Sequence, residues 1–493
     1  MTVRSASLVW FRSDLRLSDN PALTAALARG EPVVPFFVLD DEDAGEWALG
    51  GAARWWLHGS LERLAEDLES RGSRLILRRG PAEDIVASLV AETKAGAVFW
   101  NRRYEPWAIR RDTRIKDSLS GRGLSVRSFN AALLREPWDI KTQQGGSYRV
   151  FTPFRRALYS GELQRDYNAP PRTVTPPQSF PKSDKLASWS LRPKKPDWAA
   201  GLRKTWQPGE AGARERLTLF LDGPLQTYHD KRNVPGVEGT SRLSPHLHFG
   251  EISPGRIVDA VRARTFALTG APSAKWSDVY LSEIAWREFS HHLLFHFPHL
   301  PVKPLRPEFE RFPWAKGKQD LGAWQKGLTG YPIVDAGLRE LWATGWMHNR
   351  VRMIVASFLV KDLLLPWRAG EDWFWDTLVD ADLANNAASW QWVAGCGADA
   401  APYFRVFNPT LQGEKFDADG HYIRRWVPEL AKLSMALIHA PWKARPVELS
   451  DAGVALGKTY PLPMIDHGAA RMRALAAFRE IGKATALDED ANG

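Results

Sequence analysis

Over the first 135 residues, short apolar runs alternate with amphipathic stretches. "SLVWF" (7–11), "PVVPFFVLD" (32–40), "SRLILRR" (73–79) and "GAVFWN" (96–101) are rich in Val, Ile and Phe and bounded by turn residues, which predicts buried strands. Between them "AARWWLHGSLERLAEDLES" puts Trp56, Leu57, Leu61, Leu64 and Leu68 on one face of a helix. After the first strand, "SDNPAL" carries a helix start, with a polar cap and Pro21 in the first turn. Strand–helix alternation predicts a parallel sheet with helices on both faces. No G-x-G-x-x-G follows the first strand, so the dinucleotide fingerprint is absent.

The pattern dissolves over 136–204, where "NAPPRTVTPPQSFPKSDK" predicts an extended connector on the surface. From 205 to 480 strand periodicity gives way to helical periodicity, and 481–493 ("…ATALDEDANG") is expected to be a short disordered tail. No internal repeat is visible.

Composition narrows the function classes. The 493 residues contain one cysteine, Cys396, which excludes an intramolecular disulfide and an all-cysteine zinc or iron–sulfur site. No run reaches the ~18 apolar residues of a membrane span. The amino terminus reads as a strand and not as a signal peptide, so a cytoplasmic protein is expected. A net charge of +9 favours a polyanionic partner such as nucleic acid. Of 23 tryptophans, eleven fall between Trp276 and Trp392, so something in that region uses indoles.

Two motifs are decoys. "GVALGKT" (453–459) has three residues between its glycines where a P-loop needs four, and no apolar strand precedes it. His291, His292 and His296 lack an H-E-x-x-H pattern and sit among apolar residues, as helix histidines with protein partners do.

Four segments of the helical half carry polar residues that share a helix face. "GTSRLSP" sets Thr240, Ser241, Arg242 and Ser244 before a predicted helix, which suits a phosphate or an ordinary cap. "YLSEIAWREF" puts Glu283, Trp286 and Arg287 at i, i+3 and i+4. "WMHNRVRMIVASFLV" groups Asn349, Arg352 and Met353, with Arg350 adjacent; two arginines beside so apolar a run ask for a buried anion. "DADLANNAASWQW" (380–392) then offers Asp380 and Asp382 where a helix would begin, with Asn386 and Trp390 at i, i+4.

In this order, these segments resemble the cryptochrome/photolyase family, and in particular the bacterial class I and class III cyclobutane pyrimidine dimer photolyases. The resemblance runs over almost the whole chain. It passes through "WFRSDLRLSDNPAL", "TSRLSPHL", "WREF", "TGYPIVDAGLRELWATGWMHNRVRM", "DADLANNAASWQW" and "APYFRVFNPTLQGEKFD". It implies a Rossmann-like α/β antenna domain (1–135), then the connector, then an all-α domain (205–480) that binds FAD and DNA.

By the same resemblance, Tyr228, Thr240, Ser241, Arg242, Leu243 and Ser244 would hold the flavin phosphates and ribityl chain. Arg352 and Asp380 would pair beside the isoalloxazine, with Asp382 in the same wall and Arg287 also on the cofactor side. Asn386 would face flavin N5. Trp286 and Trp392 would flank a flipped-out dimer, with Met353 below it. Glu283 and Asn349 would hydrogen-bond it, while Arg350 joins Trp286 and Trp392 in binding DNA. Trp390, Trp367 and Trp314 would carry electrons from the flavin to the surface. The implied reaction is light-driven repair: excited FADH⁻ gives an electron to the dimer, the cyclobutane ring splits, and the electron returns.

Within the family, (6-4) photolyases have histidines where this chain has Asn349 and Met353. Cryptochromes have an acid or a cysteine in place of Asn386. Both differences favour dimer repair, with a blue-light photoreceptor without repair activity as the alternative. The chain also ends soon after the helical domain, without the long tail of plant cryptochromes. Ala108 stands where a glutamate grips the folate antenna in the best-known bacterial enzymes, so a methenyltetrahydrofolate antenna would need another pocket. Tyr280 replaces a tryptophan of some relatives. Trp342, Trp346, Trp373 and Trp375 crowd the electron path, so a branched route and plain core packing both remain open. UV-damaged DNA is the expected partner, and the protein is expected to act as a monomer.

Overall fold

The computed structural model describes residues 5–163, 168–399 and 404–491, with side chains as far as 481. Five parallel strands form one sheet in the order β3-β2-β1-β4-β5. They are β1 (Ser7–Phe11), β2 (Val33–Leu39), β3 (Ile76–Arg79), β4 (Ala97–Asn101) and β5 (Ser125–Phe129). The chain winds to one side from β1 and to the other through β4, so β1 and β4 are neighbours, paired in parallel from Ser7↔Ala97 to Trp10↔Trp100. β1, β2 and β4 are buried along their whole length, which is why they read as unbroken apolar runs.

Four helices complete the unit: α1 (Pro21–Leu27), α2 (Gly51–Glu69), α3 (Ala82–Thr93) and α4 (Pro106–Gly121). α1 starts as the sequence indicates, with Pro21 in its first turn and the Asn20 side chain accepting from Leu23 N–H. Trp56, Leu57, Leu61, Leu64 and Leu68 of α2 are all buried. One core cluster packs Leu8, Trp10, Phe36, Ile76 and Trp100 from the sheet against Val86 and Leu89 of α3 and Ile115 and Leu119 of α4.

Three elements depart from the sequence reading. β5 was not singled out because "SVRSF" is polar and half-exposed, as befits a sheet edge. The 136–204 stretch, read as extended, holds a ten-residue helix, α5 (Phe151–Ser160), that buries Phe151, Phe154 and Leu158. The flanking Pro-rich sequence hides that short apolar face. The last helix, His467–Ala491, continues through most of the expected tail, on an alanine-rich sequence of high helix propensity.

Contacts divide the chain into two compact units. The first comprises Met1–Gln226, Ser241–Pro298 and Val379–Ala384; the second comprises Thr227–Thr240, His299–Leu378 and Asn385–Gly493. The first unit thus joins the sheet to the first helices of the all-α region. A buried carboxylate, Glu251, helps to hold that join. It accepts from Trp56 Nε1 (3.0 Å) and Gly209 N–H (2.7 Å), and also bonds Ser60 and His246. Arg16, also buried, donates to the carbonyls of Asp19, Ala131 and Gly250. These bonds fix the 246–251 segment within the first unit.

Candidate functional site

In the first unit, Ser241 to Ser244 form the entry to a short helix, Ser244–His248. Arg242 holds a left-handed backbone, φ 51°, so the chain turns sharply there. Ser244 Oγ donates to Asp380 Oδ2 at 2.6 Å, which fastens the turn to the acidic stretch ahead of the Leu383–Ala394 helix. Asp382 lies 3.6 Å from both His248 Nδ1 and His291 Nε2. Burial works against its ionisation, but His291, His248 and Arg287 outweigh that and hold its pKa well below the usual carboxylate range.

The Lys275–His296 helix carries the next group. Glu283, Trp286 and Arg287 are half-buried along it. The Trp286 indole lies flat on Phe151 of α5, with ring centroids 3.7 Å apart and planes 6° from parallel. Arg287 donates to the Ala132 carbonyl at 2.7 Å and pairs with Glu288 at 3.1 Å, so its charge is met by the adjacent residue. Glu288 in turn accepts from Leu134 N–H at 2.7 Å. Tyr280 is buried, tilted against Phe220 at 4.5 Å and bonded to Ser241.

The three histidines of this helix have protein partners. His291 Nδ1 meets the Arg287 carbonyl, His292 Nε2 accepts from Tyr148 N–H, and His296 Nε2 meets the Pro137 carbonyl. Among the described residues no group of three or more His, Cys, Asp or Glu is arranged to hold a metal. "GVALGKT" follows a helix, Pro446–Ala452, and not a strand. Ala108 is fully buried beside Trp107 and Ala44.

In the second unit, Tyr228 is buried with the Arg232 guanidinium over its ring at 5.6 Å, and Thr240 is half-buried. The Asn349–Ser357 helix is capped by His348, whose Nδ1 accepts from Arg350 N–H at 3.2 Å. Asn349 at its start is exposed, and Arg352 and Met353 are half-buried. Arg352 Nε donates to the Met347 carbonyl at 2.8 Å, which orients the guanidinium. Arg350 donates to Asn233 Oδ1 at 3.0 Å and lies over Phe416 at 4.5 Å.

On the Leu383–Ala394 helix, Asn386 is 7% exposed. Its Nδ2 donates to the Glu371 carbonyl at 3.0 Å, and its Oδ1 has no hydrogen-bond partner among the described residues. Trp390 is buried edge-on to Phe374 at 5.0 Å and to Trp324 at 6.4 Å. Trp392, two residues on, is half-buried; its Nε1 donates to the Asp399 carbonyl at 3.1 Å. It lines a small cavity of about 30 Å³ with Arg306, Lys361 and Phe404. The two indoles thus serve different surroundings, as a 200° separation on a helix requires.

Trp367 is buried and opens the Trp367–Thr377 helix; Trp314 is half-buried against Phe312 at 4.4 Å. Trp342 is 59% exposed and stacks on Trp373 with centroids 6.0 Å apart and planes 3° from parallel. Trp375 and Trp346 are buried. Sequence reasoning missed three residues that act on the predicted set: Phe151 beneath Trp286, Gly370 against Trp390, and Trp324 beside Trp390. Only Trp324 had a signal, since it lies within the tryptophan-rich region.

An α/β unit with a parallel five-stranded sheet, followed by helices that carry carboxylates, amides and indoles, is the architecture of a flavin-binding photolyase. Residues 7–177 match the family model of DNA photolyase, and 280–480 match the FAD binding domain of DNA photolyase. The chain belongs to the cryptochrome/photolyase family. It is 52% identical to a deoxyribodipyrimidine photo-lyase of Agrobacterium fabrum, over 98% of this chain and 100% of that one. It is 41% identical to cryptochrome-1 of Arabidopsis thaliana, over 96% of this chain and 70% of that one. A solved class III photolyase from Agrobacterium tumefaciens superposes with a TM-score of 0.94 at 52% identity, covering 97% of this chain and 98% of that one.

Proposed function

We propose that this chain is a deoxyribodipyrimidine photo-lyase, which binds UV-damaged DNA and splits cyclobutane pyrimidine dimers under blue light. The observation that carries the reading is Asn386. It is 7% exposed, its Nδ2 donates to the Glu371 carbonyl, and its side-chain carbonyl oxygen has no hydrogen-bond partner among the described residues. An amide held by its nitrogen presents its oxygen as an acceptor on the other side. A reduced flavin ring, with a proton on N5, is the donor this family would bring.

Bound FAD supplies the light-driven electron for the reaction. The chain's own residues bind, orient and shield. Tyr228, Thr240, Ser241, Arg242, Leu243 and Ser244 would hold the phosphates and ribityl chain, with hydroxyls and amides as donors. Arg352 and Asp380 would lie beside the ring system, and Asp382, held ionised by its histidines, would keep that wall charged. Arg287 would act on the cofactor side through the carbonyl and carboxylate that it orders. Asn386 would accept from N5–H and so favour the reduced ring.

On the substrate side, a dimer must leave the duplex stack, and a damaged pair costs less to extrude than a sound one. Trp286 and Trp392 would repay that cost by stacking, at ~1–3 kcal/mol per base. Met353 would complete the apolar floor, and Glu283 and Asn349 would bond the dimer's polar edge. Arg350 would join Trp286 and Trp392 in binding DNA, by contacting the phosphate backbone, in a chain whose net charge is +9. Trp390, Trp367 and Trp314 would return electrons to an oxidised flavin. The antenna is proposed to be methenyltetrahydrofolate, bound by the α/β domain. The protein is proposed to work as a cytoplasmic monomer. Among the described residues no helix is long and apolar enough to cross a membrane.

The 41% identity to a plant cryptochrome favours one other reading, a photoreceptor that binds FAD without repairing DNA. The deciding experiment incubates the purified holoprotein with a dimer-containing oligonucleotide in blue light and in the dark. Light-dependent restoration of intact pyrimidines supports repair; bound flavin without restoration supports the photoreceptor. Mass spectrometry of the pigments released by heat identifies the antenna.

A further inference from the structure

The Phe151–Trp286 stack is closer than the other phenylalanine and tryptophan contacts around it. Its centroids are 3.7 Å apart, whereas Trp286–Phe289 is 5.8 Å, Phe151–Phe289 is 6.0 Å and Phe154–Phe289 is 5.1 Å. An indole has two faces. Phe151 lies flat against one of them, with planes 6° from parallel, and Trp286 stays only half-buried.

Phe151 cannot turn away. It is 9% exposed and opens α5, which is anchored on the Lys275–His296 helix along its length. Phe154 packs on Phe289 and His292, and Tyr159 OH donates to the Leu281 carbonyl at 2.8 Å. The covered face of Trp286 is therefore the fixed one.

We propose that Phe151 is a positioning residue for lesion recognition: it backs Trp286, holds the indole plane still, and so presents a rigid platform on which one planar face of an extruded pyrimidine dimer stacks. The inference rests on Trp286 being a lesion platform, as proposed above. Its chemistry is preorganisation. A free indole on an open helix face must give up rotamer freedom when a base stacks on it, and an indole already clamped by a second ring has little left to lose. Because only the flipped-out lesion uses the platform, the benefit belongs to damaged DNA alone. The phosphate contacts that hold any duplex do not pass through Phe151.

The test compares dissociation constants of the holoprotein, in the dark, for a duplex with one thymine dimer and for the same duplex undamaged. Phe151→Ala should weaken dimer binding about fivefold, the scale of one stacked aromatic pair, and leave undamaged DNA unchanged. Phe151→Tyr, which keeps the ring, should restore dimer binding. In a Trp286→Ala background, Phe151→Ala should add nothing. Equal losses on both duplexes, or losses that multiply with Trp286→Ala, would overturn the proposal. If Trp286→Ala weakens dimer binding and Phe151→Ala does not, the proposal fails while the platform stands. If Trp286→Ala leaves discrimination intact, the platform itself fails. Flavin retention reports folding; if the alanine variant does not fold, Phe151→Leu, apolar without a ring, replaces it and should weaken dimer binding by the same factor.

Discussion

Gly370 and Trp390 meet backbone against ring: a β-carbon on Gly370 would lie 2.1 Å from Cη2 of the indole. Trp390 has no room to retreat, being 2% exposed with Phe374 and Trp324 edge-on to it. Gly370→Ala must therefore turn the indole or shift the Trp367–Thr377 helix, at a cost of about 1–3 kcal/mol for overpacking. If Trp390 is the first electron relay, the variant should also photoreduce oxidised flavin more slowly while binding DNA normally. Thermal unfolding and flavin bleaching under steady blue light measure the two effects. Unchanged bleaching in a destabilised variant would show that the indole's placement does not limit the relay.

The extra indoles of the same region test the proposal of a second electron route. Trp342 is largely exposed and stacks parallel on Trp373, whose buried Nε1 has no partner among the described residues, and Trp390 also touches Trp324. Replacing Trp367 by Phe should then slow photoreduction without abolishing it, and adding Trp373→Phe should remove the remainder. Complete loss in the single Trp367→Phe variant would mean that the extra indoles only fill space.

The contrast between what the sequence revealed and what it hid follows burial. β1, β2 and β4 are covered on both faces, so their composition alone marks them. β5 and α5 bury one narrow face beside polar or proline-rich neighbours, and periodicity in so short a window carries little signal. The division into compact units was hidden for another reason. Each unit is assembled from three separate segments, and a composition change near 205 cannot report which segments pack together.

The candidate site divides in the same way. What helix geometry alone dictates was legible: Trp390 and Trp392, two residues apart, do serve separate surroundings. Contacts made by unremarkable residues were not. Nothing in "GSYRVFTPF" marks Phe151 as the partner of Trp286, and nothing in "WRAGEDW" marks Gly370 as the clearance for Trp390. Both depend on elements over a hundred residues apart, or on a helix pairing that only the fold supplies.

Asn386→Asp separates the two halves of the Asn386 side chain. The aspartate keeps an acceptor oxygen but has no N–H for the Glu371 carbonyl, which the wild type bonds at 3.0 Å. The carbonyl keeps its place in the ladder of the Trp367–Thr377 helix, so the loss of that one bond costs about 0.5–1.5 kcal/mol. A carboxylate beside the flavin should also disfavour its reduced, anionic form. The expected result is a protein of lower thermal stability whose bound flavin has a lower reduction potential and reoxidises faster in air. A potential equal to that of the wild type would place Asn386 away from the flavin's redox centre.

His292 gives a pH signature with a definite sign. Its Nε2 accepts from Tyr148 N–H at 3.0 Å, so it must be neutral in the fold. Burial, and next the neighbouring His296, push its pKa down from 6.5 to about 3. Between these values the unfolded chain takes up a proton that the folded chain refuses, so the stability contributed by neutral His292 is present above pH 6.5 and is lost as pH falls towards 3. The slope from this one group is at most about 1.4 kcal/mol per pH unit. His292→Gln keeps an acceptor for Tyr148 and does not titrate. Urea unfolding of both proteins at pH 7, 6, 5 and 4, about one unit apart across the window where the two protonation states differ, should show the wild type losing stability faster than the variant. Parallel curves would mean that His292 protonates in the folded protein, and that the Tyr148 bond is made by some other arrangement.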